Sequence, residues 1–95
     1  FVSLDAGESE GTVLTQPFRL PGSCLFVNVD APQGELHVEV LDGTGRVFAR
    51  SRPLRGNLLR EPVTWVEGNM EGMTHQEVSL RFTLRSGQFY SYWIE

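Results

Sequence analysis

The tightest constraint on this chain is a side-chain period of two. Val78, Leu80, Phe82 and Leu84 alternate with Ser79, Arg81, Thr83 and Arg85. Leu36, Val38 and Val40 alternate with His37 and Glu39, and Leu25, Val27 and Val29 with Phe26, Asn28 and Asp30. Successive side chains leave a strand on opposite faces, so each segment reads as a half-buried strand with one face on a core. No segment keeps helical spacing over a useful length. A turn near Met70–Thr74 is the only helical expectation, and Gly or Pro interrupts most gaps between strands.

Register arithmetic predicts two hairpins. With Gly43-Thr44 as a two-residue loop, Asp42 meets Gly45, Val40 meets Val47 and Val38 meets Ala49. With Ser86-Gly87 as a second loop, Arg85 meets Gln88, Leu84 meets Phe89 and Leu80 meets Trp93. The same register pairs Thr83 with Tyr90 and Arg81 with Tyr92. Further strands are expected at Phe1–Leu4, Thr12–Phe18, Leu25–Asp30 and Val63–Val66, and Ser51–Pro62 reads as the longest irregular stretch. About eight short strands at this spacing predict an all-β fold, an antiparallel two-sheet β-sandwich of jelly-roll type.

The 95 residues make one domain, 1–95, too small for a deep active site beside a two-layer core. The chain opens directly in strand-like sequence, which reads as a domain excised from the C-terminal end of a larger protein. The longest apolar runs are only a few residues, so no membrane-spanning helix is expected. Charge is unevenly spread. The net charge is −4, with eight Arg and no Lys. Arg46, Arg50, Arg52, Arg55 and Arg60 all lie between Asp42 and Glu61, where no acid occurs. The guanidinium fork suits carboxylate or phosphate, so this stretch reads either as an anion-binding or partner-docking loop or as a solvated surface loop. Elsewhere all twelve acids face only three arginines, an arrangement that repels nucleic acid. The single Cys24 precludes an internal disulfide and reads as a small buried hydrophobe.

Longer stretches carry a family likeness. They run Phe1-Val2-Ser3-Leu4-Asp5-Ala6-Gly7, Gly11-Thr12, Thr15-x-Pro17-Phe18 and Leu25-x-Val27-Asn28-Val29-Asp30. Gly34-x-Leu36-x-Val38-Glu39-Val40-Leu41-Asp42, Pro62-Val63-Thr64-Trp65, Val78-x-Leu80-Arg81-Phe82-x-Leu84 and Phe89-Tyr90-Ser91 follow. Together they resemble the C-terminal β-sandwich behind glycosidase-like five-bladed propellers of the family 32 and 43 type. The resemblance implies an accessory domain that packs on a catalytic propeller and sometimes contributes to sugar binding or oligomerisation. It also leans to a secreted or periplasmic setting. Asn57 follows Gly56 where the family pattern often has an acid, and the Arg-rich stretch is a second departure.

Candidate chemistry is sparse. Glu8/Glu10 and Glu35/Glu39 are not placed as a catalytic carboxylate pair would be. His37 is on an outward strand position and His75 in a polar loop, neither beside a nucleophile, and two His with one Cys are a poor zinc set. No cofactor is expected beyond a structural calcium, for which Asp5 and Asp30, with Glu8 and Glu10, are weak candidates against solvated turn acids. The hairpin register puts Tyr90, Tyr92, Arg81 and Arg85 on one outer face, with Trp65 and Trp93 in the core. Such a face suits a neighbouring domain, or a sugar ring stacked on tyrosine, or simply cross-strand support. Arg52 and Arg55 are the candidates from the Arg-rich stretch. The expectation is a non-catalytic accessory module whose partner is a catalytic domain of its parent chain, the alternative being an oligosaccharide-binding module. Neither a nucleic acid nor a membrane partner is expected.

Overall fold

The computed structural model describes residues 4–95, with side chains from residue 11 onward. Among these, seven strands form a single antiparallel hydrogen-bonded sheet, and one 3₁₀ turn lies between the last two strands. The strands are β1 (Leu4–Leu14), β2 (Phe18–Arg19), β3 (Leu25–Leu41), β4 (Val47–Ser51), β5 (Leu54–Pro62), β6 (Trp65–Glu67) and β7 (Glu77–Ile94). The sheet order is β1-β7-β3-β4-β6, with β2 beside β7 and β5 beside β3. The 3₁₀ turn Glu71–Met73 falls where the helical turn was expected and sends Met73 into the core. The expected strand Phe1–Leu4 lies outside the described residues except for Leu4, which opens β1.

Two expectations about strand length are corrected. Ser86-Gly87 does not close a hairpin, because β7 runs through it for 18 residues and pairs with β3, itself 17 residues long, from Leu25↔Ile94 to Leu41↔Ser79. Nor is Ser51–Pro62 irregular, since β5 occupies most of it and follows β4 along the same side of β3. Both long strands are sharply bent. Phe82 and Phe89 would be about 23 Å apart on a straight strand, yet their ring centroids are 4.6 Å apart, and Tyr92 lies 5.0 Å from Phe82. The bend thus brings the inner faces of both sheet halves onto one core. Leu25, Val27, Val29 and Phe89 enter that core from one half, and Leu36, Val38, Val40, Leu80, Phe82 and Leu84 from the other.

The bend has local causes. Asp30 pairs with Gln88 and Glu35 with Arg85, so β3 spends five steps where β7 spends three. The extra residues include Pro32, which needs no ladder donor at a bulge. On β7, Ser86 takes a left-handed φ of 53°. Gly34 and Gly87 sit where the two backbones press together, each facing a carbonyl of the opposing strand.

The first hairpin exists, but in another register. The Asp42 N–H donates to Arg46 O at 2.9 Å and the Gly45 N–H to Asp42 O at 3.0 Å, giving a three-residue loop with Gly45 at φ 88°. The Asp42 carboxylate selects this loop, since its Oδ1 accepts from the Thr44 N–H, the Thr44 hydroxyl and the Arg46 N–H. Val40 then meets Ala49 and Leu41 meets Val47, with a bulge between the pairs.

At the far end of β4 the ladder is irregular again, and the buried Ser51 hydroxyl accepts the Val38 N–H at 2.9 Å. Ser51→Ala leaves that donor without a partner. The expected loss is about 1–3 kcal/mol in urea-unfolding free energy, with Ser51→Thr retaining part of it.

Candidate functional site

On the outer face of the half containing Leu36–Leu41, residues of β3 alternate with the core set and meet residues of β7. Glu35 faces Arg85, His37 faces Thr83 and Glu39 faces Arg81. Opposite charges in register become ion pairs. Arg81 Nε donates to Glu39 Oε1 at 2.7 Å and Arg85 Nη2 to Glu35 Oε1 at 3.0 Å. Arg50 of β4 joins Glu39 at 3.2 Å and reaches Glu67 of β6 at 3.7 Å, while Arg55 of β5 approaches Glu35 at 3.6 Å. His37 Nε2 lies 2.6 Å from Glu35 Oε2. Arg81 and Arg85, with Arg50 and Arg55, are therefore the cationic half of a charge ladder that crosses five strands, a sheet-stabilising role for the first two.

Glu35 is the most enclosed acid of the ladder, its side chain only 15% exposed. Burial alone would raise its pKa. The His37 hydrogen bond and the charges of His37, Arg55 and Arg85 outweigh that and hold it below its ordinary 4.5. A carboxylate lowered in the folded state contributes stability above its unfolded pKa and loses it as pH falls through the lowered value. Acid titration of urea stability should therefore show the wild type exceeding Glu35→Gln at neutral pH, with the gap narrowing only below pH 4.5.

The expected tyrosine face does not assemble. Ser91 pairs with Asn28 and Phe89 with Val29, so Tyr90 is the extra residue of a bulge. The bulge resets the alternation. Phe89 is buried and Tyr92 packs against the core, where burial raises its phenol pKa. Tyr90 stays exposed with its hydroxyl donating to Gln88 Oε1. Tyr90 and Tyr92 consequently share no face, and neither joins Arg81.

Trp93 is corrected in the same stroke, for it lies outside the core cluster. It pairs with Phe26 on the outer face, the two rings nearly parallel at 12° with centroids 5.8 Å apart. Arg60 of β5 extends over both, its Cζ 4.8 Å from the Phe26 centroid and 5.5 Å from that of Trp93. Glu95 Oε2 accepts from Arg60 Nη2 at 2.6 Å and from Trp93 Nε1 at 3.2 Å. The sequence carried one signal for this cluster. Phe26 is an aromatic on the outward phase of its strand, and an exposed ring there invites a partner. Trp65, in contrast, packs against the core as expected.

An open groove of about 640 Å³ lies between β5 and β6. Leu54, Leu58 and Val66 supply apolar walls, Arg52 and Arg55 line it as well, Arg55 next to the bend, and Glu61 lies further along β5. The Arg-rich stretch is thus extended chain rather than loop, and it places Arg52 and Arg55 on one groove. Arg50, Arg55 and Arg60 each have an acid within 4.0 Å; among the described residues Arg52 has none.

Cys24 is exposed rather than buried, because it precedes the inward phase that starts at Leu25. Its backbone exchanges two hydrogen bonds with Glu95. His75 sits in a turn at φ 70°. Among the described residues no group of three or more His, Cys, Asp or Glu side chains converges as metal ligands would. The backbone register sets Asp5 and Asp30 on either side of Gln88, two strand spacings apart or about 10 Å; the side chains of Asp5, Glu8 and Glu10 lie outside the described residues. No protein-family model matches the chain, and neither a curated protein nor a solved structure does.

Proposed function

We propose that this domain is a non-catalytic accessory β-sandwich of jelly-roll type that packs against the catalytic or propeller domain of a glycosidase-like parent chain. The observation that carries the docking role is the groove between β5 and β6, which is open, walled by Leu54, Leu58 and Val66, and edged by arginine. Domain interfaces combine these features. Among the described residues the two carboxyl groups that are displaced, Glu35 and Asp42, are both moved downward by their partners. A glycosidase general acid needs the opposite displacement. The glycosidase-like parent is supported by the residue pattern that runs from Phe1-Val2-Ser3-Leu4 to Phe89-Tyr90-Ser91. Hydrogen–deuterium exchange of the 95-residue chain, alone and within the full gene product, tests the proposal. Added protection at Arg52–Leu58 and Val66 is expected in the longer protein. A gene product with no further domain, or unchanged exchange along the groove, would sink it.

The Phe26–Trp93 pair favours a second reading, a weak oligosaccharide-binding module. Flat aromatic rings stack on the C–H face of a sugar, and Arg60 and Glu95 are suited to its hydroxyls. Saturable NMR shifts of the Trp93 indole N–H on addition of neutral oligosaccharides, absent at Trp65, are expected on this reading. No shift with any sugar would leave the docking role alone.

A further inference from the structure

We infer that the groove between β5 and β6 takes an extended acidic segment, seated with its carboxylates at Arg52 and Arg55 and its apolar side chains on Leu54, Leu58 and Val66. The inference rests on the docking reading and adds the chemistry and direction of the occupant. Three observations carry it. The first is the distribution of acids around the Arg-rich stretch. Arg50 and Arg60 are engaged by carboxylates at 3.2 and 2.6 Å, whereas Arg55 reaches Glu35 only at 3.6 Å and remains 66% exposed. Arg52 has no carboxylate partner among the described residues and lines the groove as an exposed side chain. Two guanidinium groups with unused donors on one groove make a site for anions rather than cations.

The second observation is apolar. Val66 is 56% exposed on the wall of the groove, and Leu58 is only partly buried beneath it. A free carboxylate or phosphate would leave these walls in water, while a peptide alternating acidic and apolar side chains satisfies both ends. The third is polarity along the groove. Glu61 lines it further along β5 than Arg55 and repels an acid placed there, so the carboxylates of the occupant are confined to the arginines. The free edge of β5 is not the means of capture. Gly56 at φ 90° and the register shift between Leu58 and Glu61 break the row of donors and acceptors that strand addition would need. Side chains, not a shared ladder, hold the segment.

The test uses the 95-residue chain and two fluorescently labelled synthetic peptides, one alternating glutamate with leucine and the other lysine with leucine. Anisotropy should show saturable binding of the glutamate peptide that weakens with salt, and none of the lysine peptide. Arg52→Glu should weaken it by about tenfold or more, and Val66→Asp should weaken it as well. Both substitutions are at exposed positions, and unchanged urea midpoints would show that the variants fold. NMR shifts should fall on Arg52–Leu58 and Val66. Equal affinity for the two peptides, absence of binding, or an Arg52→Glu variant that binds like the wild type would each overturn the inference. Failure here with the groove protected in the full gene product removes the acidic occupant and leaves docking intact. Peptide binding with no such protection removes docking within the parent and leaves the site.

Discussion

Gly34→Ala is expected to lower the unfolding free energy by about 3 kcal/mol or more, beyond the common range for single substitutions. A Cβ on Gly34 would lie 1.8 Å from the Arg85 carbonyl oxygen and 2.8 Å from the Ser86 Cβ. The obstacle is backbone, so no side chain can rotate away. Relief requires β3 and β7 to separate where both turn, and that separation would undo the Glu35–Arg85 pair beside it. Gly43→Ala is the matched control, because nothing lies within 4 Å of its Cβ position and its φ is not left-handed. Urea denaturation followed by tryptophan fluorescence should give a much lower midpoint for the first variant and a nearly wild-type one for the second. Similar midpoints would mean that the two strands are not pressed together at the bend.

Phe82→Ala is expected to cost about 3–5 kcal/mol. Phe82 is fully buried and its ring touches Phe89 and Tyr92, both from the other half of the sheet. Removing it leaves a void between the halves, so the loss combines transfer free energy with a cavity that bent strands cannot readily close. At about 4–8 °C per kcal/mol for a domain of this size, Tm should fall by roughly 12–40 °C. Phe82→Leu keeps most of the volume and should recover more than half of the loss. A fall of only a few degrees for the alanine variant would show that the halves are held apart by something other than this ring.

Periodicity located the strands well, since it reports which residues face a core. Leu25, Val27, Val29, Leu36, Val38, Val40, Val78, Leu80, Phe82 and Leu84 are all buried, as their phase required. Connectivity was less legible. A strand that reverses at Ser86-Gly87 and one that bends there display the same alternation, and apolar residues meet apolar ones in either arrangement. What separates them is the partner. β3 offers a complementary face on both sides of the bend, a fact held some fifty residues away in sequence rather than at the turn. The tyrosine face failed for a smaller reason of the same kind. One extra residue at Tyr90 inverts the phase downstream, which sends Tyr92 inward and Trp93 outward. No local signal marks that bulge, because it arises from how Asn28 and Val29 meet their partners. In the first hairpin the signal is local. Asp42 can bridge to amides two and four residues on, and that bridge, rather than the Gly-Thr dipeptide, sets the loop.

The position of β7 also fixes the timing of folding. It is the last strand in the sequence, yet β1, β2 and the whole length of β3 pair with it. As the chain emerges from a ribosome, β1 waits without its partner and β3 stands with one side bare until Glu77–Ile94 appears. The closing step joins positions as remote as Leu4 and Phe89, so most of the loop-closure entropy is lost in one late event. Assembly is consequently late and cooperative. A nascent chain stalled before Glu77 presents two open strand edges together, the species most exposed to pairing with the wrong neighbour.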